Sequence, residues 1–413
     1  MKLLTDTAPL RESRQFRLLF VGRTISVAGS QFTVVAAPFQ VFAITDSTLM
    51  VGLLALAQLP PLLVASFLGG TLADAFDRRK ILIVTQLLLA LASAGLALNA
   101  TLDEPRLWIV FVLTSVIAAL SGIDGPTRTA VVPTLVTPIQ LPSALALNQL
   151  SYQIALVVGP ALAGLLITQS IAAAYWVDVV TFSAGVAALV LMLPMVPVGG
   201  GTPPGWRSAV AGWRYLRSQR AVEGAFVVDL NAMVFGMPRT LFPELATQVF
   251  NAPGAVGLFY AAPAVGAFIG AATSGWINRI DRQGKGVLVA VILWGGSIAA
   301  FGFSPWLWLA LVMLAVAGWA DVISAVMRNT IIMLTVPDDL RGRLSALHIA
   351  NVTGGPRLGD LESGAVAAAT SARVSAWSGG LACVLGVGLV ARAYPALRSW
   401  RLSGHSAEAE SAG

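Results

Sequence analysis

Cysteine and histidine are almost absent from this chain: its 413 residues include one Cys, Cys383, and two His, His348 and His405. A disulfide framework needs paired cysteines and a zinc or haem site needs clustered ligands, so no metal and no cofactor is expected. Charge is scarce as well. Charged residues make up 11% of the chain, against about 25% in an ordinary soluble domain. A water-soluble fold of this length would need a far more polar surface, which excludes a soluble enzyme. The phosphate-binding pattern G-x-x-x-x-G-K-S/T is missing. Its nearest approach, Gly284-Lys285-Gly286, lacks the hydroxyl that holds magnesium, so no P-loop chemistry and no catalytic residue is assigned. A net charge of +6 does not point to nucleic acid, because the basic residues are scattered between apolar runs instead of forming a stripe with stacking aromatics.

Long hydrophobic runs are abundant. Hydrophobic residues make up 56% of the chain and the mean hydropathy is +0.79. A helix that crosses a bilayer needs about 20 mostly apolar residues. That length marks twelve candidate spans, at 17–43, 48–73, 80–100, 107–127, 143–168, 173–196, 221–249, 254–278, 286–303, 306–328, 344–368 and 374–394. The fold class expected is therefore all-α and integral to the membrane. The first run continues far past the length of a signal-peptide core and no small-residue cleavage site follows it, so it reads as a retained span.

Basic residues of short loops stay on the cytoplasmic side. Most of them, including Arg78, Arg79, Lys80, Arg207, Arg214, Arg217, Arg220, Arg279, Arg282, Arg341 and Arg343, fall at one set of span ends, and Arg106 and Arg373 fall at the other. Both termini are then cytoplasmic. The Gly- and Pro-rich stretch at 199–205 divides the chain into a six-helix bundle at 1–196, a cytoplasmic linker at 197–220, a second six-helix bundle at 221–394 and a cytoplasmic tail at 395–413. Internal repetition supports the division. Arg128 corresponds to Arg328, and Gly159 and Gly164 correspond to Gly359 and Gly364, as a parallel duplication predicts.

Between the second and third runs stands Gly70-Thr71-Leu72-Ala73-Asp74-Ala75-Phe76-Asp77-Arg78-Arg79-Lys80. It resembles the cytoplasmic loop motif of the major facilitator superfamily, with Gly70 expected to allow close helix approach and the arginines to anchor the loop. It departs from that motif at Ala75 and Asp77. In the fifth run, Ala155 to Gly164 is similar to the glycine-proline pattern of antiporters in that superfamily, with Gly159, Pro160 and Gly164 expected to pack the helix tightly. A wider resemblance covers nearly the whole chain. Leu98-Asn99-Ala100, Val256 to Ala262, Gly266 to Ala271, Thr273-Ser274-Gly275 and Asn351-Val352-Thr353-Gly354 look like the enterobactin exporter branch. Asp124 to Arg128 and Arg239 to Pro243 look like the neighbouring third drug:proton antiporter group.

The resemblance implies a major facilitator fold of two pseudo-symmetric six-helix bundles in which spans one, four, seven and ten line a central cavity. Charges on those spans need a partner, a water cavity or a role. Asp229 lies near mid-membrane and is the first candidate for a proton-coupling group, with permanent pairing to another helix as the alternative; Asp321 is the second candidate. Arg239 could attract an anionic substrate or pair with Glu244. Asn231, Gln31, Asn148 and Tyr152 could line the substrate cavity or bond a neighbouring helix. Asp124 and Arg128 are spaced for a local ion pair. Alternatively, Arg128, Asp74 and Arg341 or Arg343 form a latch at the cytoplasmic mouth.

The function expected is proton-coupled export of a small amphipathic molecule, with a siderophore first and broad drug efflux second. A transport-inactive scaffold is a remote third. The partners are a small-molecule substrate, protons and membrane lipid, the location is the inner (plasma) membrane, and the chain is expected to be monomeric.

Overall fold

In the computed structural model, residues 6–195 and 216–403 are described, without the side chains of 338–343, 345, 346, 349 and 350. Most of the expected linker at 197–220 and the end of the tail therefore lie outside the described residues. Most of the helices follow one another through short turns. The long ones are α1 (Arg14–Thr45), α2 (Thr48–Ala75), α3 (Arg78–Ala100), α4 (Leu107–Leu135), α5 (Leu141–Ile167) and α6 (Ile171–Val190). They continue as α7 (Arg220–Phe235), α8 (Ala255–Thr273), α9 (Gln283–Phe303), α10 (Leu307–Thr335), α11 (Asp338–Ala369) and α12 (Ala372–Ala393). Local chemistry sets several starts. Ser13, Asp77, Ser170 and Ser371 each accept a bond from a backbone N–H of the first turn, which satisfies donors that a helix N-terminus leaves open. Asp46, at a left-handed φ of 47°, ends α1.

Eleven helices among the described residues are long and apolar enough to cross a membrane. The twelfth long helix, α11, has the length but carries Arg341, Arg343, Arg357, Asp360 and Glu362 along it. The polarity of the bundle is that of a protein in lipid. Val180, Leu385 and Leu389 are among many apolar side chains left on the outside, while Gln86, Arg128, Asp178, Asp229 and Arg328 are buried. A soluble fold reverses that arrangement, and the chain is a multi-pass membrane protein.

The contacts form two units. The first comprises Met1–Asp46, Leu56–Pro203 and Ala252–Ala261; the second comprises Ser47–Ala55, Pro204–Asn251 and Ala262–Gly413. In the first unit α1 packs on α5 and α6, and α3 packs on α4 and α6. The second repeats the pattern six helices later, with α7 on α11 and α12 and α9 on α10 and α12. Helices α4 and α10 are both 29 residues long and start 200 positions apart. Arg128 and Arg328 thus occupy the same register in each.

Two elements depart from the sequence expectation. The run 221–249 is not one helix: α7 stops at Phe235, and the chain continues through a 3-10 turn (Arg239–Leu241), one short turn and a π-helical turn (Leu245–Val249). Pro238 explains the stop, since it lacks an N–H and disfavours helical backbone at Met237. The end of α8 also tightens into 3-10 turns over Ser274–Arg279, whereas the corresponding residues Gly70 to Ala75 stay α-helical.

Beyond α12 the chain folds back on the loop that precedes α9. The Leu402 N–H donates to the Asp281 carbonyl at 2.8 Å and the Ser403 N–H to Asp281 Oδ1 at 3.0 Å. Bonds from Ser403, then the charges of Arg401 and Arg282, hold the Asp281 carboxyl below its ordinary pKa. A depressed carboxyl pKa contributes stability above the unfolded value, about 4, and loses it as the pH falls through the folded value. The segment at 400–403 is therefore expected to loosen only in acid below that range. Limited proteolysis of the purified protein across a pH series would show it; release at neutral pH would contradict the assignment.

Candidate functional site

The loop motif works differently from its expected role. Gly70 faces open space, and the close approach belongs to Gly69, where a Cβ would stand 2.8 Å from Ile123 Cα. The arginines bind helix ends. Arg78 donates to the carbonyls of Ala73 and Ala130, each at 3.0 Å, with Asp74 at 3.8 Å. Arg79 donates to Leu189 O at 3.0 Å and Val190 O at 2.5 Å. These guanidinium groups bond carbonyls at or near helix C-termini and complement the negative end of the helix dipole. Arg79→Ala is expected to cost about 1 kcal/mol per lost bond, read as faster amide exchange at the end of α6. Arg79→Lys is not expected to restore it, because an ammonium lacks the fork that spans two carbonyls.

In α5, a Cβ at Gly159 would meet Gln31 Cβ at 2.6 Å, and one at Gly164 would meet the Gly254 carbonyl at 2.4 Å. The carbonyl of Pro160 lies 2.0 Å from the Cβ position of Gly257. Gln31 is thus buried against α5. Asn231 is also a packing residue. Its Nδ2 donates to Cys383 O at 2.9 Å, and two residues from Asp229 it points to roughly the opposite side of α7.

Asp124 and Arg128 form the local pair, at 2.5 Å. Asp124 also accepts from Gln86 Nε2 at 3.3 Å and Thr85 Oγ1 at 3.5 Å. Asp74 pairs with Arg78, so within the first unit the Arg128–Asp74 part of the latch is not formed. The side chains of Arg341 and Arg343 lie outside the described residues. Arg239, displaced from α7 by the break, meets α11: its Nη2 donates to Asp360 Oδ2 at 2.7 Å, and Thr240 Oγ1 donates to the Asp360 carbonyl at 2.8 Å. Asp360 is an ion-pair partner that spacing along the chain did not reveal. Glu244 accepts from the Ala372 N–H at 3.1 Å.

The most concentrated charge lies across α7, α10 and α11. Arg328 Nη1 is 2.5 Å from Asp229 Oδ1, and Asn351 Nδ2 donates to Asp229 Oδ2 at 2.9 Å. The side chains of Arg328 and Asp229 are 6% and 3% exposed. Asp321 lies on the same helix as Arg328, seven residues earlier, which is two turns or about 10 Å. It is exposed and has no hydrogen bond or ion pair among the described residues. The charges acting on it are those of Arg328 and Asp229, and both also act on His348. Asp229 is therefore paired and Asp321 is not, and the charge of the same guanidinium acts on both.

Three polar residues had no site role assigned from the sequence. Arg23 on α1 is half-buried, with Arg128, Asp124 and Tyr152 as its electrostatic neighbours. Asp178 is buried in the first unit, where Thr33 donates to Oδ2 at 2.6 Å and Ser93 at 2.9 Å. His348 packs edge-on to Phe226. A lone polar residue within an apolar run was the only available signal for the first two.

A family model described as transmembrane secretion effector matches residues 4–409. The chain belongs to that family, within the major facilitator superfamily. The enterobactin exporter EntS of Shigella boydii serotype 18 is 30% identical over 359 residues, and that of Citrobacter koseri 29%; each alignment covers 85% of both chains. Among solved structures, a point mutant of the nucleoside transporter NupG matches with a TM-score of 0.76 at 11% identity, covering 93% of this chain and all of that one. A bacterial homologue of the lysosomal transporter Spinster matches with a TM-score of 0.66 at 13% identity, covering 93% and 98%. At those identities the structures establish the fold. The transporter is a membrane protein acting on small molecules.

Proposed function

We propose that this transporter exports a siderophore across the inner membrane in exchange for protons. In this reading two six-helix bundles, 1–196 and 221–394, work by alternating access, α11 counts as the twelfth span, and both termini are cytoplasmic. The observation that carries the coupling is a buried guanidinium, Arg328, paired with Asp229, while Asp321, unpaired among the described residues, stands two turns away on the same helix as Arg328. Charge balance in a low-dielectric interior leaves Arg328 able to neutralise one carboxylate at a time, so the other carries a proton or faces water. A proton arriving at one carboxyl frees Arg328 to move toward the other. Such a swap has two discrete arrangements, which alternating access requires. The siderophore assignment rests on the similarity to exporters named for enterobactin.

The test is the siderophore content of iron-starved medium from a deletion strain complemented with wild type, Asp229→Asn or Asp321→Asn. Secretion is expected to fall on deletion and to return only with the wild type. Asp321→Asn is the cleaner variant because Asp321 has no partner to strand. Unchanged secretion on deletion would overturn siderophore export in favour of broad efflux. Full secretion by both variants would overturn the coupling assignment.

A further inference from the structure

We propose that the first unit holds an anion-binding site centred on Arg23, which takes an oxygen anion, a carboxylate or an ionised phenol, on the transported molecule. This rests on the exporter reading above and adds to it the charge of the cargo.

The first support is charge that the protein leaves unbalanced. Arg23 stands nine residues beyond the start of α1, about 13 Å along the helix. It has no hydrogen bond or ion pair among the described residues, and the charges acting on it are Arg128 and Asp124. Asp124 is already committed to Arg128 at 2.5 Å, and it also accepts bonds from Gln86 and Thr85. Two guanidinium groups therefore share one carboxylate, and the cluster carries one excess positive charge inside a membrane span. Such a charge calls for a counter-ion or water.

Donor chemistry around Arg23 supports the same reading. Thr24 Oγ1 and Ser151 Oγ lie 2.6 Å apart, which fixes α1 level with α5 at this depth. On α5, Asn148 and Tyr152 are four residues apart and share a face. The Asn148 Nδ2 is buried without an acceptor. Tyr152 is 41% exposed, its hydroxyl has no bond among the described residues, and it is an electrostatic neighbour of Arg23. A guanidinium, an amide N–H and a phenol O–H, none of them holding an acceptor, match an oxygen anion and mismatch a cation.

The duplication shows that this positive excess is not required by the architecture. Asp229 also stands nine residues beyond the start of its helix, α7, and α7 repeats the packing of α1. Arg328 matches Arg128. The second unit thus balances its arginine with an acid at the position where the first unit has Arg23, and Ser324 stands where the first unit has Asp124. The repeated position has opposite charge in the two units.

The test uses the purified full chain in detergent and matched probes in equilibrium dialysis: 2-naphthoate against 2-naphthamide for a carboxylate, and 4-nitrophenolate against 4-nitroanisole for a phenolate. At least one anion is expected to bind about tenfold or more tighter than its neutral isostere, in line with a charge-assisted bond. The arm that discriminates names the anion class. Arg23→Gln is expected to remove the preference and Arg23→Lys to keep part of it, provided both elute as the wild type does. Equal binding of anion and isostere, no binding of either anion, or an unchanged preference in Arg23→Gln would overturn the site. The secretion experiment does not bear on this result, so an anion preference that persists alongside unchanged secretion would refute siderophore export and leave the site standing.

Discussion

Arg328→Gln is expected to destabilise the second unit by about 3–5 kcal/mol, the usual loss when one partner of a buried ion pair is removed. Asp229 is 3% exposed and keeps one other donor, Asn351 at 2.9 Å. Without the guanidinium its charge has neither water nor a counter-ion. Asp229→Asn strands Arg328 in the same way. The double variant Asp229→Asn/Arg328→Gln carries two neutral amides that can bond each other, and it is expected to recover most of the loss. Thermal unfolding of the purified protein in detergent, run as a four-membered cycle, measures this. Additive losses in the double variant would show that the two residues act separately and would remove the basis for a shared guanidinium in coupling. Asp321→Asn provides the contrast. With no partner among the described residues, it is expected to leave the unfolding temperature nearly unchanged while its effect appears in transport.

The helices could be read from the sequence because the bilayer demands a fixed length of apolar chain, and eleven runs meet that demand. The exception has a physical cause: α11 carries its charges on a helix that finds partners inside its unit, such as Asp360 with Arg239. The break after Phe235 was less legible. Apolar length alone does not register that Pro238 and Gly236 fall together, although both residues are in plain view. The ion pair within one helix, Asp124 with Arg128, follows from a spacing of four, and Asp74 meets Arg78 across the short turn between α2 and α3. Pairs between helices far apart in the chain do not follow from spacing. Asp229 and Arg328 are 99 residues apart, and nothing local to either one names the other. Arg23 was masked by its surroundings, since another arginine after Arg11, Arg14 and Arg17 reads as part of a positive-inside end. Its depth in α1 became meaningful only when Asp229 was found at the same depth in α7.

The glycines separate motif from packing most sharply. Gly164→Ala is expected to destabilise the first unit by about 1–3 kcal/mol or more, the range for forcing atoms into a filled contact. The new Cβ would lie 2.4 Å from the Gly254 carbonyl and 2.8 Å from Gly257 Cα and N. All of these are backbone atoms, so relief requires a helix to move. Gly69→Ala is expected to behave similarly, with Ile123 Cα at 2.8 Å and the Gly122 carbonyl at 3.0 Å. Gly70→Ala meets nothing within 4 Å and stays helical, so it is expected to be neutral or to gain up to about 1 kcal/mol from helix propensity. The three unfolding temperatures, measured in one detergent, decide the matter. A loss at Gly70 matching that at Gly69 would mean that the loop motif packs through its own glycine in a state other than this one. A loss confined to Gly69 and Gly164 would place the close contacts where this structure has them, and would leave Gly70 to be explained by what this loop does during transport.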